Sequence, residues 1–150
     1  MPRIKLELPG HFSFSTKIPV RITDINYGGH AGNDSILAMI HEARIQFLQQ
    51  YAYNEKDFAG VGLIMNDVAI EFKKELFYGD VADVAVTATA FERVSFDIVY
   101  KLNTHRNGKD ITVAAAKTGM VCFDYNSKKI TSVPEEARKK LLTIELRELQ

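Results

Sequence analysis

Two different spacings of apolar residues divide this chain into one long helical stretch followed by several strands. Between residues 34 and 51 the apolar side chains recur every three or four positions, which predicts an amphipathic helix that ends near Asn54. From Gly60 onward the period changes to two, most clearly between Phe96 and Asn103, which predicts strands with one buried face. We expect strands at 12–23, 61–76, 81–92, 95–105 and 110–124, and a closing helix after Pro134.

Short turn signals join these strands. The dipeptide Asn107-Gly108 lies between two alternating runs and predicts a hairpin, while Tyr78-Gly79-Asp80 and Asn126-Ser127-Lys128 mark other turns. A strand, a long helix and four further strands indicate an α+β fold with a mostly antiparallel sheet that covers the helix on one face. Because no repeats or linkers interrupt the pattern, we expect residues 1–150 to form a single domain. Such long strands leave edges that proteins commonly cover by pairing with a second subunit, which predicts a homodimer.

A polar, glycine-rich segment runs directly into the long helix. Its glycines at 28, 29 and 32 let the backbone approach a ligand closely, and a helix that begins here points unpaired N–H groups toward the segment. The side chains in it that can react or form hydrogen bonds are Asp24, Asn26, His30, Asn33 and Asp34. We therefore expect the chemistry of the protein here, with Asn33 or Asp34 as the helix cap.

Composition and the absence of several motifs limit which partners, compartments and cofactors the sequence predicts. Nineteen basic and nineteen acidic residues leave no net charge, which argues against nucleic acid or an anionic membrane surface as a partner. No apolar run reaches the length of a signal peptide or a membrane span, so we expect a cytoplasmic protein. The single cysteine, Cys122, lies in an apolar run and is expected to be a core residue rather than a nucleophile. No metal-ligand spacing, Gly-x-Ser-x-Gly elbow or phosphate-binding loop is found, so neither a metal nor a cofactor is predicted.

The segment Asp24-Ile-Asn-Tyr-Gly-Gly-His30, followed by a helix that closes in Glu42-Ala-Arg44, resembles the hotdog-fold thioesterases of the 4-hydroxybenzoyl-CoA thioesterase-like group. The similarity continues through 70–74, 78–80 and 133–136 and covers nearly the whole chain. This resemblance implies a hotdog fold, in which a long antiparallel sheet wraps around a central helix. It also implies a homodimer or homotetramer that hydrolyses an acyl-CoA or acyl-carrier-protein thioester without a metal.

The chain departs from the family pattern at the position of the usual catalytic acid. In the family, the second acid of an Asp-x-Asp pair attacks the thioester or activates water, and that position is Asn26 here. An amide cannot accept a proton at neutral pH. Asn26 is left to orient a water, to hold the substrate carbonyl or to pack the loop. Asp34 is the alternative general base, unless it serves only as a cap on the helix.

Thioester hydrolysis also requires a polarised carbonyl. Backbone N–H groups around Gly28, Gly29 and His30, with those near Asn33, are candidates for an oxyanion hole, against the alternative of an ordinary turn. His30 is a candidate base or electrophile, or makes only a structural hydrogen bond, and Asp24 either acts in the site or orders the loop. The predicted catalytic residues are Asp24, Asn26, His30 and Asp34, and the predicted substrate-binding residues are Tyr27, Gly28, Gly29 and Asn33.

Weaker candidates and two other functions remain open at this point. A dimer would bring Asn66 or Asp67 near the neighbouring site. One of His41 and Glu42 is a candidate to face the cleft, although a solvated or salt-bridged face is the favoured expectation for both. Basic residues that either meet CoA phosphates or face water are Lys73, Lys74, Arg93 and Arg106. The alternatives to a thioesterase are a hotdog hydratase or dehydratase that pairs Asp24 with His30, and a non-catalytic acyl-thioester binder that has lost its acid at Asn26.

Overall fold

A six-stranded sheet and one long helix form the body of the fold. The computed structural model describes residues 3–148. Its elements are β1 (Phe14–Pro19), α1 (Asn33–Gln49), β2 (Gly62–Phe72), β3 (Val81–Thr89), β4 (Ser95–Arg106), β5 (Lys109–Asp124), β6 (Lys129–Ile130) and α2 (Glu135–Glu148). The strands are antiparallel and follow the order β1-β3-β4-β5-β2, with β6 beside β5. The predicted α+β class and antiparallel sheet are confirmed.

The core lies between α1 and the face of the sheet that covers it. The apolar face that the helical spacing predicted is buried, and Ile40, Ala43, Phe47 and Leu48 are completely inaccessible. The sheet contributes Val84, Val86, Ile98, Tyr100, Leu102 and Met120 to the same cluster. This packing places α1 against the sheet as in a hotdog fold and holds the first turn of the helix in a fixed position.

Most differences from the predicted boundaries occur where the backbone leaves the regular conformation. The long helix ends at Gln49 rather than at 51 or near 54, and Ala52 then has a positive φ of 63°. The strand expected to reach 92 ends at Thr89, where Ala90 has a φ of 54°. The strand expected at 61–76 ends at Phe72 because the next two N–H groups share the carbonyl of Val113.

The ends of the first strand and the hairpins also have local explanations. The strand expected at 12–23 spans only β1, which ends at Pro19, and a short 3₁₀ turn follows at Ile22–Asp24. Between β4 and β5, Asn107 and Gly108 have φ values of 54° and 75°, so the predicted hairpin is confirmed. The short strand β6 was not predicted. Among the described residues, no helix is long and apolar enough to cross a membrane.

Strand β2 forms one edge of the sheet and pairs only with β5 within the described chain. Its register shifts between Met65 and Asp67, where the Asp67 carboxylate accepts the N–H of Gly119 at 2.9 Å and lies 3.1 Å from Lys117. Exposed apolar side chains follow this strand at Ile64, Met65, Val68 and Phe72. The edge is therefore long and apolar, with a bulge near its centre.

A charged cluster fixes the turn that leads into β3. The Asp80 carboxylate accepts hydrogen bonds from the N–H of Phe77 at 2.9 Å and from Arg106 at 2.6 Å. Arg106 also donates to the carbonyl oxygen of Glu75 at 3.0 Å and lies over the Phe77 ring. Burial alone would raise the pKa of Asp80, but these two hydrogen bonds and the charge of Arg106 hold it below its usual value.

This lowered pKa predicts an acid-sensitive contribution to stability. Because the folded pKa is depressed, the contribution is present above the unfolded pKa of about 4 and is lost as the pH falls through the folded value. We expect Asp80→Asn to lower the free energy of unfolding at pH 7 by about 1 to 3 kcal/mol and to flatten its decline in acid. Urea unfolding from pH 2 to pH 7 measures both effects.

Asp83→Asn, at an exposed position on β3, is the control and should leave the pH profile unchanged. An Asp80→Asn profile that runs parallel to the wild-type profile down to pH 2 would contradict the prediction.

Candidate active site

The predicted site loop is a tight turn held by its own hydrogen bonds. The N–H of Asn26 bonds to the carbonyl of His30 at 2.9 Å, and the N–H of Gly29 bonds to the carbonyl of Asn26 at 3.0 Å. Gly29 has a φ of 84°, which favours glycine. The N–H of Ala31 bonds to the carbonyl of Leu76 at 2.8 Å and ties the turn to the segment after β2.

These bonds correct the expectation of an oxyanion hole built from glycine N–H groups. The N–H of Gly28 bonds to the Asn26 side-chain oxygen at 2.9 Å, so that both glycine N–H groups are engaged inside the turn. Tyr27 is fully exposed and projects from the tip of the loop. The predicted donors that are not engaged inside the turn are the N–H of His30 and the first N–H groups of α1.

The first turn of α1 is capped differently from the prediction. The N-cap is Gly32, rather than Asn33 or Asp34, and it has no side chain with which to satisfy the first N–H groups. Gly32 is buried, and a Cβ there would lie 2.5 Å from Asp34 Oδ1 and 3.6 Å from Asn26 Nδ2. The carboxylate of Asp34 and the amide of Asn26 therefore face the same small space, which a side chain at Gly32 would fill.

The Asp34 carboxylate has no partner among the described residues. Its side chain is exposed and makes no hydrogen bond or ion pair with any described residue. It lies at one end of a cleft of about 430 Å³ that runs along α1, which we call the α1 cleft. The α1 cleft is also lined by Leu37, Ala38, His41, Arg44, Glu55 and Met65. A carboxylate without a structural partner beside open helix N–H groups has the arrangement of a general base next to an oxyanion site.

His30 lines a second cleft. Its Nδ1 lies 3.1 Å from the carbonyl oxygen of Ala31, which can only accept, so Nδ1 carries the proton. Nε2 is then free to accept from a ligand, or to donate when the ring is charged, and it lies 3.8 Å from Glu75. This second cleft, which we call the lysine cleft, measures about 250 Å³ and includes Asn33, Lys73 and Lys74.

Asp24 lines a different cleft from the other predicted site residues. Its carboxylate accepts the N–H of Arg21 at 2.8 Å, and its carbonyl accepts the N–H of Gly32 at 3.0 Å. It lines a third cleft, of about 270 Å³, together with Ala38 and Glu42. Asp24 thus orders the loop, and the pairing of Asp24 with His30 that a hydratase would need is not formed.

The structure also shows the surroundings of the weaker candidates and of two other side chains that could react, Cys122 and His105. Asp67 stabilises the bulge in β2, and Asn66 is exposed beside it. Cys122 is buried, which raises the pKa of its thiol to about 11 and makes it a poor nucleophile. His105 pairs with Asp110 at 3.0 Å on the hairpin between β4 and β5. In the described part of the chain, no group of three or more His, Cys, Asp or Glu side chains is arranged to hold a metal.

A buried charged cluster underlies the far end of the α1 cleft, and local sequence patterns did not identify it. Arg44 is only 4% exposed, and its Nε donates to Glu55 Oε1 at 3.1 Å. Arg44 also donates to the Tyr100 hydroxyl at 3.4 Å, and that hydroxyl bonds to Thr118 at 2.7 Å. Burial lowers the pKa of Arg44, but the interactions with Tyr100 and Glu55 outweigh burial and raise it. Glu55 lies in an irregular loop, so only the folded structure reveals its place.

Comparison with known proteins agrees with this fold. Residues 20–141 match the model of the thioesterase-like superfamily. A 1,4-dihydroxy-2-naphthoyl-CoA hydrolase from Microcystis aeruginosa is 29% identical over 122 residues, which are 79% of this chain and 86% of that protein. A similar protein of the same name from Nostoc punctiforme is 26% identical and covers 83% of each chain.

Solved structures share the fold. A 1,4-dihydroxy-2-naphthoyl-CoA thioesterase from Synechocystis superposes with a TM-score of 0.77 at 20% identity, covering 88% of this chain and 97% of that one. An Asp-to-Asn mutant of 4-hydroxybenzoyl-CoA thioesterase, in complex with 4-hydroxybenzoyl-CoA, gives a TM-score of 0.78 at 14% identity, covering 85% and 97%. The predicted hotdog fold is confirmed, and the chain belongs to the thioesterase-like superfamily.

Proposed function

We propose that this protein hydrolyses acyl-CoA thioesters and that Asp34 is its general base. The observation that carries the proposal is the free Asp34 carboxylate, which faces the same space as the Asn26 amide at the uncapped start of α1. The named relatives act on CoA thioesters of a hydroxylated aromatic acid, which supports CoA rather than a carrier protein as the thiol. We also propose that the protein is cytoplasmic, as its single buried cysteine is compatible with a reducing compartment.

In the proposed reaction, the site residues act in successive steps. Asp34 accepts a proton from a water molecule, whose oxygen bonds to the thioester carbon. The first N–H groups of α1 and the Asn26 amide stabilise the oxyanion that forms on the carbonyl oxygen. The tetrahedral intermediate then collapses, the carbon–sulfur bond breaks, and the CoA thiolate takes the proton back from Asp34. His30 Nε2 borders the lysine cleft and helps to hold the thioester at the loop.

Replacing the proposed base should abolish most of the turnover. We expect Asp34→Asn to lower kcat by roughly 100- to 10,000-fold with little change in KM, because the amide cannot accept the proton. The measurement is thiol release from a panel of acyl-CoA thioesters. The matched control is Glu42→Gln, which changes an exposed acid on the same helix that borders a different cleft.

The same panel distinguishes a non-catalytic binder, which the amide at Asn26 favours as the second candidate. A binder predicts no turnover by the wild type on any thioester and the appearance of activity in Asn26→Asp. Wild-type turnover that persists in Asp34→Asn would instead refute the assignment of the base and leave the thioesterase activity standing.

We further propose that the phosphates of CoA lie at the mouth of the lysine cleft. Lys73 is 43% exposed and lies 3.8 Å from Glu71, and Lys74 is exposed beside it without a described partner. His30 and Asn33 line the inner wall of the same cleft, so an extended pantetheine arm can reach the loop from these lysines. Phosphate groups provide the negative charge that such lysines bind.

Charge reversal at Lys74 tests this placement. We expect Lys74→Glu to raise KM for an acyl-CoA roughly 5- to 10-fold while leaving KM for the matching acyl-pantetheine, which lacks the nucleotide, unchanged. Lys129→Glu, at an exposed position on β6, is the control. Equal effects on both substrates would show that Lys74 does not contact the nucleotide.

A homodimer formed along the edge of β2 is the proposed assembly. The exposed Ile64, Met65, Val68 and Phe72 would become buried if a second copy added its β2 antiparallel to the first. Met65 lines the α1 cleft, so the same contact would place the partner next to the site.

Placing a charge on this edge should disrupt the dimer. Val68, 40% exposed on β2, is replaced by lysine, and Val81, 43% exposed at the start of β3, receives the same change as the control. Light scattering coupled to size exclusion should give twice the chain mass for the wild type and Val81→Lys, and the single chain mass for Val68→Lys. A dimeric Val68→Lys variant would exclude this edge as the interface.

A further inference from the structure

The α1 cleft has an apolar middle and a polar far end. This difference indicates which chemical groups an acyl group bound in the cleft would have. Leu37 and Met65, each 37% exposed, form the apolar part next to Asp34. At the other end, Glu55 Oε1 lies 3.1 Å from Arg44 Nε and 3.3 Å from His41 Nε2. A purely hydrocarbon acyl chain would be expected to meet an apolar end, as in most pockets that bind such groups.

Glu55 retains an open acceptor. Both described partners of the carboxylate approach Oε1, whereas no described residue bonds to Oε2. The side chain of Glu55 is 28% exposed, so this second oxygen is accessible rather than sealed in the core. A carboxylate accepts hydrogen bonds but cannot donate them, and a group that displaces its water must therefore donate.

The position of this acceptor limits the size of the group. Asp34 and His41 are seven residues apart on α1, which corresponds to about 10 Å along the helix axis. The thioester carbonyl must lie within about 3 Å of the attacking water at Asp34, and a hydroxyl bound to Glu55 needs a similar distance. The distance that remains between the thioester carbonyl and the hydroxyl bound to Glu55 suits one aromatic ring or two fused rings. Met65 can pack its sulfur against such a ring.

We propose that Glu55 binds a distal hydroxyl of an aromatic acyl group and so determines the substrate preference of the enzyme. Arg44 is buried and donates to Tyr100, and it holds the Glu55 carboxylate from the core side. His41 contacts the same carboxylate from the exposed side of the helix. An alkyl or unsubstituted aryl group would remove water from Glu55 without replacing the hydrogen bond that the water made. An acyl group with a carboxylate would be repelled by the negative charge of Glu55. This inference rests on the proposed thioesterase function with its acyl group in the α1 cleft.

The test compares pairs of substrates that differ only in the hydroxyl. The probes are 4-hydroxybenzoyl-CoA with benzoyl-CoA, and 6-hydroxy-2-naphthoyl-CoA with 2-naphthoyl-CoA. The wild type should favour the hydroxylated member of at least one pair by about 10- to 100-fold in kcat/KM, as expected for a hydrogen bond to a charged group. Glu55→Gln should reduce this preference about tenfold or more, because a neutral amide oxygen accepts a weaker hydrogen bond than a carboxylate does.

A second variant separates recognition from folding. Glu55→Asp keeps a negative charge beside the buried Arg44 but shortens the side chain by one methylene, and it should also reduce the preference. Glu42→Gln, which borders the third cleft, should leave the preference unchanged. A full wild-type preference in a folded Glu55→Asp variant would overturn the proposal.

The outcomes also separate this inference from the function on which it rests. Equal rates for the members of each pair, or turnover of aliphatic acyl-CoA thioesters alone, would overturn the role of Glu55 and leave the thioesterase intact. No turnover of any aromatic or aliphatic thioester would overturn the proposed function and this inference with it.

Discussion

The burial of one face of α1 against the sheet is the interaction on which the rest of this structure depends. Phe47, Ile40 and Leu48 are fully inaccessible, and each contributes about 1.5 to 3 kcal/mol of apolar burial. This packing fixes the helix axis, and with it the position of the first turn beside the loop. The loop is tied separately to the segment after β2 through Ala31 and Leu76. The position of the candidate site therefore follows from packing in the core.

The loop satisfies its own hydrogen bonds and leaves the start of the helix unsatisfied. Asn26 engages both Gly28 and Gly29, so the turn needs no ligand to become ordered. Gly32, by contrast, provides no side chain to cap α1. Donors that are held in place before a substrate arrives require little reorganisation when charge develops on the carbonyl, which is the condition for electrostatic stabilisation of an oxyanion. A serine or aspartate at this cap would fill the space and occupy the same N–H groups.

The sequence predicted the α+β fold and the hairpin at Asn107-Gly108, because periodicity and turn chemistry are local signals. It misplaced the helix cap, and it offered the N–H groups of Gly28 and Gly29 as donors to a substrate although both are engaged when the turn closes. Strand ends were missed where residues such as Ala90 adopt a positive φ that no local pattern signals. Glu55 was missed because its partners lie elsewhere in the chain, on α1.

The buried Arg44 links the core to the chemistry of the α1 cleft. A guanidinium that is 4% exposed requires a counter-charge, because an unpaired charge in the interior costs several kcal/mol. The Tyr100 hydroxyl, which also bonds to Thr118, accepts one hydrogen bond from Arg44, but the only carboxylate described beside Arg44 is Glu55, at the cleft. The polar end of the cleft is therefore a consequence of a charge inside the core. Removing Glu55 alone would leave the buried charge of Arg44 without a described carboxylate, so a wholly apolar end to this cleft would require the replacement of both residues together.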